Sequence, residues 1–521
     1  MPSKSTHASL LGYAALVQDF ALSCPPPRVV SKVSSSVRLV NRTLFENGCE
    51  EIVYPKSAYR PRTGLSGQLE YALKSEPLDL TVLAALFEKQ PAREQLQAWL
   101  NAAPSSRYAR TAGHLYEWLT GQTLHYKLPA GAPRVPILDE ADYVTGPAIS
   151  NPRFGVIHNL IGTRAMSPLV RRTPALKAFL ASDLKTRITR TIAAIEPGLL
   201  ERAVDYLYLA ETKSSFAIER EIPSPDRSRR FGLLLERAGA PGPLNEEAMV
   251  GWQNEIIGVP LLMEHTYRNK QNWMSNSGSQ YSVAYIPPAV ANVDAMMQGI
   301  SEITQAGVSG AVDPVIAAAC ASFGLVFVHP FLDGNGRLHR FLVHHILRQC
   351  GVTPAGVVLP LSVVLLKRQR EYASVLQAYS GPRTRLLDYR LDPDTNTLEV
   401  KGPQPAWLYA YFDATRLCEL VAECIDYALN EDLPAELLWL QSFDAAMGRI
   451  NQWLEGEQSV LSLLVRLIAQ NDGQLSKNKR GQFARYTDDE IARAEEIVRD
   501  AFSHSKSAEP ADIGGPDGAA S

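Results

Sequence analysis

Residues 315–328 are almost wholly apolar, and they follow Asp313-Pro314, an N-cap with a proline in the first turn. A helix that is apolar all round has no face to turn to water, so other elements must surround it. That requirement buries the segment, and the helical stretches read over most of the chain make the fold mainly α. Downstream, Leu338, Phe341, Leu342, His345 and Ile346 recur at helical spacing until Gly351 supplies a stop. Between the two helices lies a polar loop reading His329-Pro-Phe-Leu-Asp-Gly-Asn-Gly-Arg-Leu-His-Arg340.

The residue types in this loop suit phosphate chemistry. Gly334 and Gly336 carry no Cβ to block close backbone approach, so successive N–H groups can form an anion nest at the start of the second helix. The dipole of that helix favours the same anion. Arg337 and Arg340, three apart, project from its first turn and can grip polyphosphate oxygens. Asn335 can donate its amide to them. Asp333 is a hard oxygen ligand of the kind Mg²⁺ takes when it keeps most of its water and binds through one carboxylate and a nucleotide. His329 can accept a proton from an attacking hydroxyl near neutral pH. A plain tight turn is the bland alternative, and the number of functional side-chain types in so short a loop weighs against it. His339 and His344 are five apart and face different directions on their helix, so with His345 they read as surface or core histidines rather than zinc ligands.

The stretch from His329 to Arg340 resembles, without a departure, the signature HPFx(D/E)GNGRxxR of Fic-domain adenylyltransferases, which transfer AMP from ATP to a Ser, Thr or Tyr hydroxyl of a protein. The resemblance implies a Fic-type helical bundle with a β-hairpin flap. It makes His329 the general base and Asp333 the Mg²⁺ ligand. Gly334, Asn335 and Gly336 become the anion hole, with Asn335 counted beside His329 among the catalytic groups. Arg337 would hold the α- and β-phosphates and Arg340 the γ-phosphate.

Three further segments extend it. Ser215 and Glu219 are i and i+4 and share one helical face. They fit the inhibitory pattern (S/T)xxxE(G/N), whose Glu sets itself against the second motif arginine. Arg220 departs from it. Because the element precedes the loop, the arrangement is that of an N-terminal inhibitory helix on the same chain, near residues 213–221. A solvated helix charge is the bland reading of Glu219. Next, Tyr281, Val283 and Tyr285 alternate with smaller residues up to Ile286, and Pro287-Pro288 ends the run. This is the expected flap, 281–286, at which a target protein would dock by strand addition. Finally, residues 368–379 resemble the family's adenine-side helix, on which Tyr372 either stacks on the base or belongs to the core.

The chain's 521 residues allow several domains. We expect a helical region over 1–135, an irregular connector with short strands over 136–184, the catalytic unit over 185–430, a helical domain over 431–505 and a disordered tail over 506–521. Within 185–430, residues 386–390 and 397–400 read as a second hairpin around the turn 392–396. Thr487 and Glu490 read as a capping box. Six scattered cysteines without a CxxC pair, no signal-type N-terminus and no apolar run of membrane length point to the cytoplasm. A net charge of −3 gives no footprint for bulk nucleic-acid binding, and the basic runs 227–230 and 477–480 read as solvated helix ends.

The expected function is protein adenylylation, on a target and on itself, with ATP and Mg²⁺ and with Glu219 as restraint. Two alternatives stand beside it: removal of AMP at the same site, with Glu219 orienting water, and a nucleotide-sensing or DNA-binding module in which Lys477, Lys479 and Arg480 touch DNA. The target, the modified residue, the nucleotide preference, the release of inhibition and the oligomeric state are not written in the sequence.

Overall fold

The computed structural model describes residues 9–34, 42–46, 49–55, 62–276, 279–392, 395 and 397–503. The chain divides into two compact units, each built from three stretches. The first comprises Met1–Ser182, Arg237–Val352 and Arg368–Ala422; the second comprises Asp183–Glu236, Thr353–Lys367 and Glu423–Ser521.

The first unit is organised around the helix Pro314–Val328. Asp313 caps it, its carboxylate accepting from the Val315 N–H at 2.8 Å and the Ile316 N–H at 3.3 Å, and every residue of 315–328 is buried. Helices Val293–Val308 and Asn335–Gln349 pack directly on it. Ile300, Ile303, Phe323, Leu325, Leu338 and Leu342, on these three helices, are all buried. Each such side chain removed from water contributes roughly 1.5–3 kcal/mol, so a segment of this hydrophobicity is strongly favoured inside the core.

The beginning of this unit corrects the expectation of a helical 1–135. A four-stranded sheet in the order Ser9–Leu11, Val29–Val33, Cys49–Tyr54, Arg42–Glu46 precedes the helices Gly64–Ser75, Leu80–Phe87, Gln90–Ala102 and Arg107–Thr120. Its central pair is parallel and the outer two are antiparallel. The strands are too short to show a sustained period, and the parallel pair joins stretches that sequence reading treats apart. Only Val29, Ser31 and Val33, buried in alternation, carry a local sign of it.

Two three-stranded sheets follow. One joins Val135–Pro136, Val156–His158 and Ile149–Asn151; the other joins Tyr143–Val144, Ser167–Arg171 and the distant Tyr411–Asp413. Arg110, wholly buried, pins this region to its helix by donating from Nη1 to the carbonyls of Pro133 at 2.9 Å, Phe154 at 3.1 Å and Gly155 at 3.2 Å. The flap is present as an antiparallel hairpin of Met274–Asn276 with Ser279–Tyr285, pairing Met274 with Tyr285 and Ser275 with Val283 through an irregular register. Residues 277–278 and the Tyr281 side chain lie outside the described set. The second hairpin, Asp388–Asp392 with Thr397–Lys401, keeps a continuous register; of its turn, residues 393, 394 and 396 lie outside the described set.

The second unit is helical among its described residues. Its core gathers Ala446, Ile450, Leu464, Ile468, Phe483, Ile491, Ala494 and Val498, and Thr487 with Glu490 closes a capping box on Asp488–Ala501. Glu211, fully buried in the helix Pro197–Ile218, accepts from the Ser362 N–H at 2.7 Å and from the Ser362 hydroxyl. Leu199, Ala203 and Leu440 form a further apolar cluster. These contacts join 183–236 and 353–367 to the C-terminal helices, so consecutive blocks of 185–430 and 431–505 do not describe the arrangement. The tail expected over 506–521 lies outside the described residues. Among the described residues no helix is long and apolar enough to cross a membrane.

Candidate active site

The loop after the central helix begins with a residue in a costly conformation. His329 takes the C-cap position at φ 52, ψ 59, in the left-handed region. Its N–H still reaches the Leu325 carbonyl at 2.8 Å, and its Nδ1 lies 3.4 Å from the Val326 carbonyl. For an L-residue this backbone is about 1–2 kcal/mol above the helical one, and it persists only where the surroundings hold it. Gly334 makes the second turn, at φ 84, and caps Asn335–Gln349. A Cβ at Gly334 would stand 3.3 Å from Ile257 Cδ1. The left-handed backbone favours glycine here, and a Cβ would also press on the end of the Ile257 side chain.

Asn335 staples the loop to itself. Its Oδ1 accepts from the Phe331 N–H at 3.1 Å and its Nδ2 donates to the Phe331 carbonyl at 2.8 Å. With the side chain so engaged, what Asn335 presents to an anion is its main-chain N–H. The N–H groups of Gly336 and Arg337 belong to the same first turn, where no intrahelical acceptor exists.

The charged groups are layered. The Asp333 side chain is 57% exposed, and its Oδ1 accepts from the Gly334 N–H at 2.6 Å and from Arg337 Nη2 at 3.0 Å. Arg337 and Arg340 are buried, at 1% and 2% exposure. No group of three or more His, Cys, Asp or Glu side chains among the described residues is arranged to hold a metal ion. A single exposed carboxylate suits a hard cation that keeps its water and comes with a polyphosphate, and Asp333 fits Mg²⁺ in that sense.

The histidines of the following helix belong to the core. Burial, with the Arg340 charge adding to it, pushes the His339 imidazole down to about 3. Burial brings His345 to about 4, and its Nδ1 accepts from the Gly239 N–H at 3.1 Å. Tyr372 is 5% exposed; its ring lies nearly parallel to that of His339 at 6.1 Å and 6.3 Å from Phe323. One face of Tyr372 is thus taken up inside the domain.

What sequence reading missed is the cradle around the loop, supplied by Gln253 and residues 264–272. Glu264 Oε1 accepts from the Leu332 N–H at 2.8 Å, and Asn254 clamps Glu264 through two main-chain bonds, at 2.8 and 2.9 Å. Gln253 Nε2 donates to the Asp333 carbonyl at 3.3 Å. Asn272 Nδ2 donates to the Phe331 carbonyl at 3.0 Å. Arg268 donates from its main chain to the Pro330 carbonyl at 2.8 Å and from Nε to the His329 carbonyl at 2.9 Å. Burial raises the Glu264 carboxyl above its ordinary range, against the Leu332 and Asp333 amides that lower it. No motif or spacing in residues 253–272 marks them as holding the loop.

Ser215 and Glu219 lie in the second unit. Ser215 is fully buried, and Glu219 is the exposed C-cap residue of Pro197–Ile218. The helix closes with a Schellman pattern: the Arg220 N–H donates to the Ala217 carbonyl at 2.9 Å and the Glu221 N–H to the Phe216 carbonyl at 3.1 Å. Arg220 sits at φ 58. The position at which the inhibitory pattern carries Gly or Asn is a left-handed one, the conformation those two residues tolerate best.

Residues 243–347, which contain the loop, the cradle and the flap, match the Fic/DOC family. The chain is 26% identical over 252 residues to the protein adenylyltransferase Fic of Culex quinquefasciatus, covering 43% of this chain and 47% of that one. It is 36% identical over 120 residues to the protein of the same name from Drosophila mojavensis, covering 23% of each. The matched regions thus span from under a quarter to about half of these relatives. Among solved structures it is similar to a Fic family protein from Desulfovibrio desulfuricans G20, at 18% identity and a TM-score of 0.37, over 65% of this chain and 89% of that one. A Fic domain containing signaling protein from Bacteroides thetaiotaomicron VPI-5482 aligns at 16% identity and a TM-score of 0.33, over 48% of this chain and 96% of that one.

Proposed function

We propose that this chain is a protein adenylyltransferase that moves AMP from ATP to a hydroxyl of a target protein and of itself, restrained by Glu219. The observation that carries the reading is the loop: a base in a held left-handed cap, one helical turn's worth of N–H groups headed by Gly334, and the Asp333–Arg337 pair, all inside the stretch that matches the Fic/DOC family.

In this reading the hydroxyl oxygen attacks the α-phosphorus, the bond to pyrophosphate breaks, and the hydroxyl proton passes to the imidazole of His329. The N–H groups of Asn335 and Gly336, joined by that of Gly334 once it leaves the Asp333 carboxylate, take up the charge on the phosphoryl oxygens. Arg337 exchanges its contact with Asp333 for the α- and β-phosphates, and Arg340 receives the γ-phosphate. Asp333 would hold the Mg²⁺ brought with ATP, which would neutralise phosphate charge there. The target segment adds to the flap strand near 281–286 and presents its hydroxyl to His329. Glu219 restrains the reaction by competing for Arg340. Supporting this, a carboxylate at the C-terminal end of a helix opposes the helix dipole by about 0.3–1 kcal/mol, so helix stability alone gives no reason for a Glu there.

The test is incubation of wild type, Glu219→Gly and Glu219→Gly/His329→Ala with Mg²⁺ and ATP labelled on the α-phosphate, followed by intact mass. Label and an added AMP mass in the single variant, with little in wild type and none in the double variant, are expected. Equal labelling of all three would defeat the mechanism. ATP binding without transfer in any of them would favour AMP removal or nucleotide sensing.

A further inference from the structure

Arg268 brings a guanidinium into the interior at 3% exposure, and among the described residues every group it donates to is a carbonyl. Nε donates to His329 at 2.9 Å, Nη2 to Val328 at 3.4 Å and to Pro288, and Nη1 to Lys270 at 3.3 Å. Its own N–H donates to Pro330 at 2.8 Å. Three successive carbonyls, those of Val328, His329 and Pro330, thus receive hydrogen bonds from one residue.

These are the carbonyls in greatest need of a donor. Val328 ends the central helix, and the last carbonyls of a helix have no intrahelical partner. They also carry the negative end of its dipole, which a buried cation offsets. At His329 the left-handed backbone swings the carbonyl out of the helical line, so nothing on the helix itself can hold it there. A lysine would present a single ammonium in place of a fork reaching several carbonyls. Glu264 and Asn272, by contrast, hold the later part of the loop, at Leu332 and Phe331.

We infer that Arg268 is a positioning residue for the base: by holding the carbonyls of residues 328–330 it fixes the left-handed backbone of His329 and the direction in which the imidazole points. The inference rests on the reading of His329 as the base. It accounts for a costly conformation at the one residue whose aim decides the proton transfer, and displacement of a reacting group by about 1 Å is enough to slow a reaction on the order of a hundredfold.

The test compares Arg268→Lys and Arg268→Met with their parent, all in the Glu219→Gly background, by steady-state AMP transfer and by peptide-resolved hydrogen exchange. We expect Arg268→Lys to fold with a lowered thermal midpoint, since it leaves buried carbonyls unpaired, and to keep its KM for ATP within about twofold at temperatures where it is folded. Its kcat should fall roughly ten- to a hundredfold, further in Arg268→Met, with exchange at 328–331 at least about tenfold faster and the helix Val293–Val308 unchanged. Should the methionine variant fail to fold, the lysine variant decides. Parent-like kcat and exchange in Arg268→Lys would overturn the inference, as would a loss of kcat no larger than the loss of folded protein. If the parent itself transfers nothing, the functional reading fails on its own, and the exchange comparison still decides whether Arg268 holds the loop.

Discussion

Replacing Arg220 with glycine should stabilise the helix end that carries Glu219, by an amount the backbone sets. Arg220 occupies the C′ position of a Schellman closure at φ 58, and among the described residues its side chain makes no hydrogen bond or ion pair that the substitution would remove. An L-residue there carries a penalty of about 1–2 kcal/mol. Glycine removes it but loses about 0.5–1 kcal/mol through its freer unfolded chain. The balance is a gain of about 0.5–1 kcal/mol, or roughly two- to fivefold in the opening of the last turn. Hydrogen exchange over 214–221 reads this directly, with Arg220→Ala as the control. Alanine keeps the Cβ and should gain nothing, whereas asparagine should gain part. Equal protection from alanine and glycine, or faster exchange with glycine, would refute the argument from the left-handed backbone. If Glu219 restrains transfer, Arg220→Gly should also lower automodification of the otherwise wild-type chain, because its carboxylate is presented from a firmer end.

Other consequences follow from single groups. Asn335→Ala removes both bonds to the Phe331 main chain in a buried place; it should lower stability by roughly 1–3 kcal/mol and abolish transfer, as thermal melts and α-labelled ATP would report. Gly334→Ala meets φ 84 and a 3.3 Å approach to Ile257; it should cost about 1–2 kcal/mol and reduce nucleotide binding, checked by calorimetric titration with ATP. Burial lifts the Glu436 carboxyl from 4.5 to about 8, with a Tyr206 hydrogen bond opposing. The folded chain then keeps this proton up to about 8 while the unfolded chain releases it above 4.5, so this group's stability is fully present below the lower value and is lost as pH rises through the upper. Glu436→Gln should therefore exceed wild type in its urea midpoint at pH values near the upper limit and match it near the lower. Parallel midpoints across that range would contradict the shift.

What could be read in advance was local. The loop from His329 to Arg340, the capping box at Thr487 and the two hairpins announce themselves through contiguous residues, because turns, caps and alternation are written within a few positions of one another. The four-stranded sheet could not be read this way, since its central parallel pair joins Val29–Val33 to Cys49–Tyr54 across the chain. Nor could the second unit, whose Glu211 meets Ser362 at a separation of 151 residues.

The cradle was hidden for a different reason. Its residues are a Gln, a Glu, an Arg and an Asn with no spacing of their own, because what they serve is main chain: the carbonyls of His329, Phe331 and Asp333 and the N–H of Leu332. Arg110 does the same for Pro133, Phe154 and Gly155. A motif records the side chains that meet the reacting atoms. The donors that hold those side chains' backbone answer to carbonyl positions, which every residue type supplies alike, so the pattern of letters is blind to them while the geometry depends on them. If the loop is the site we propose, it brings the reactive groups, and the segment 264–272 holds the main chain from which they project. Substitutions in the cradle should therefore alter catalysis while leaving every motif residue in place.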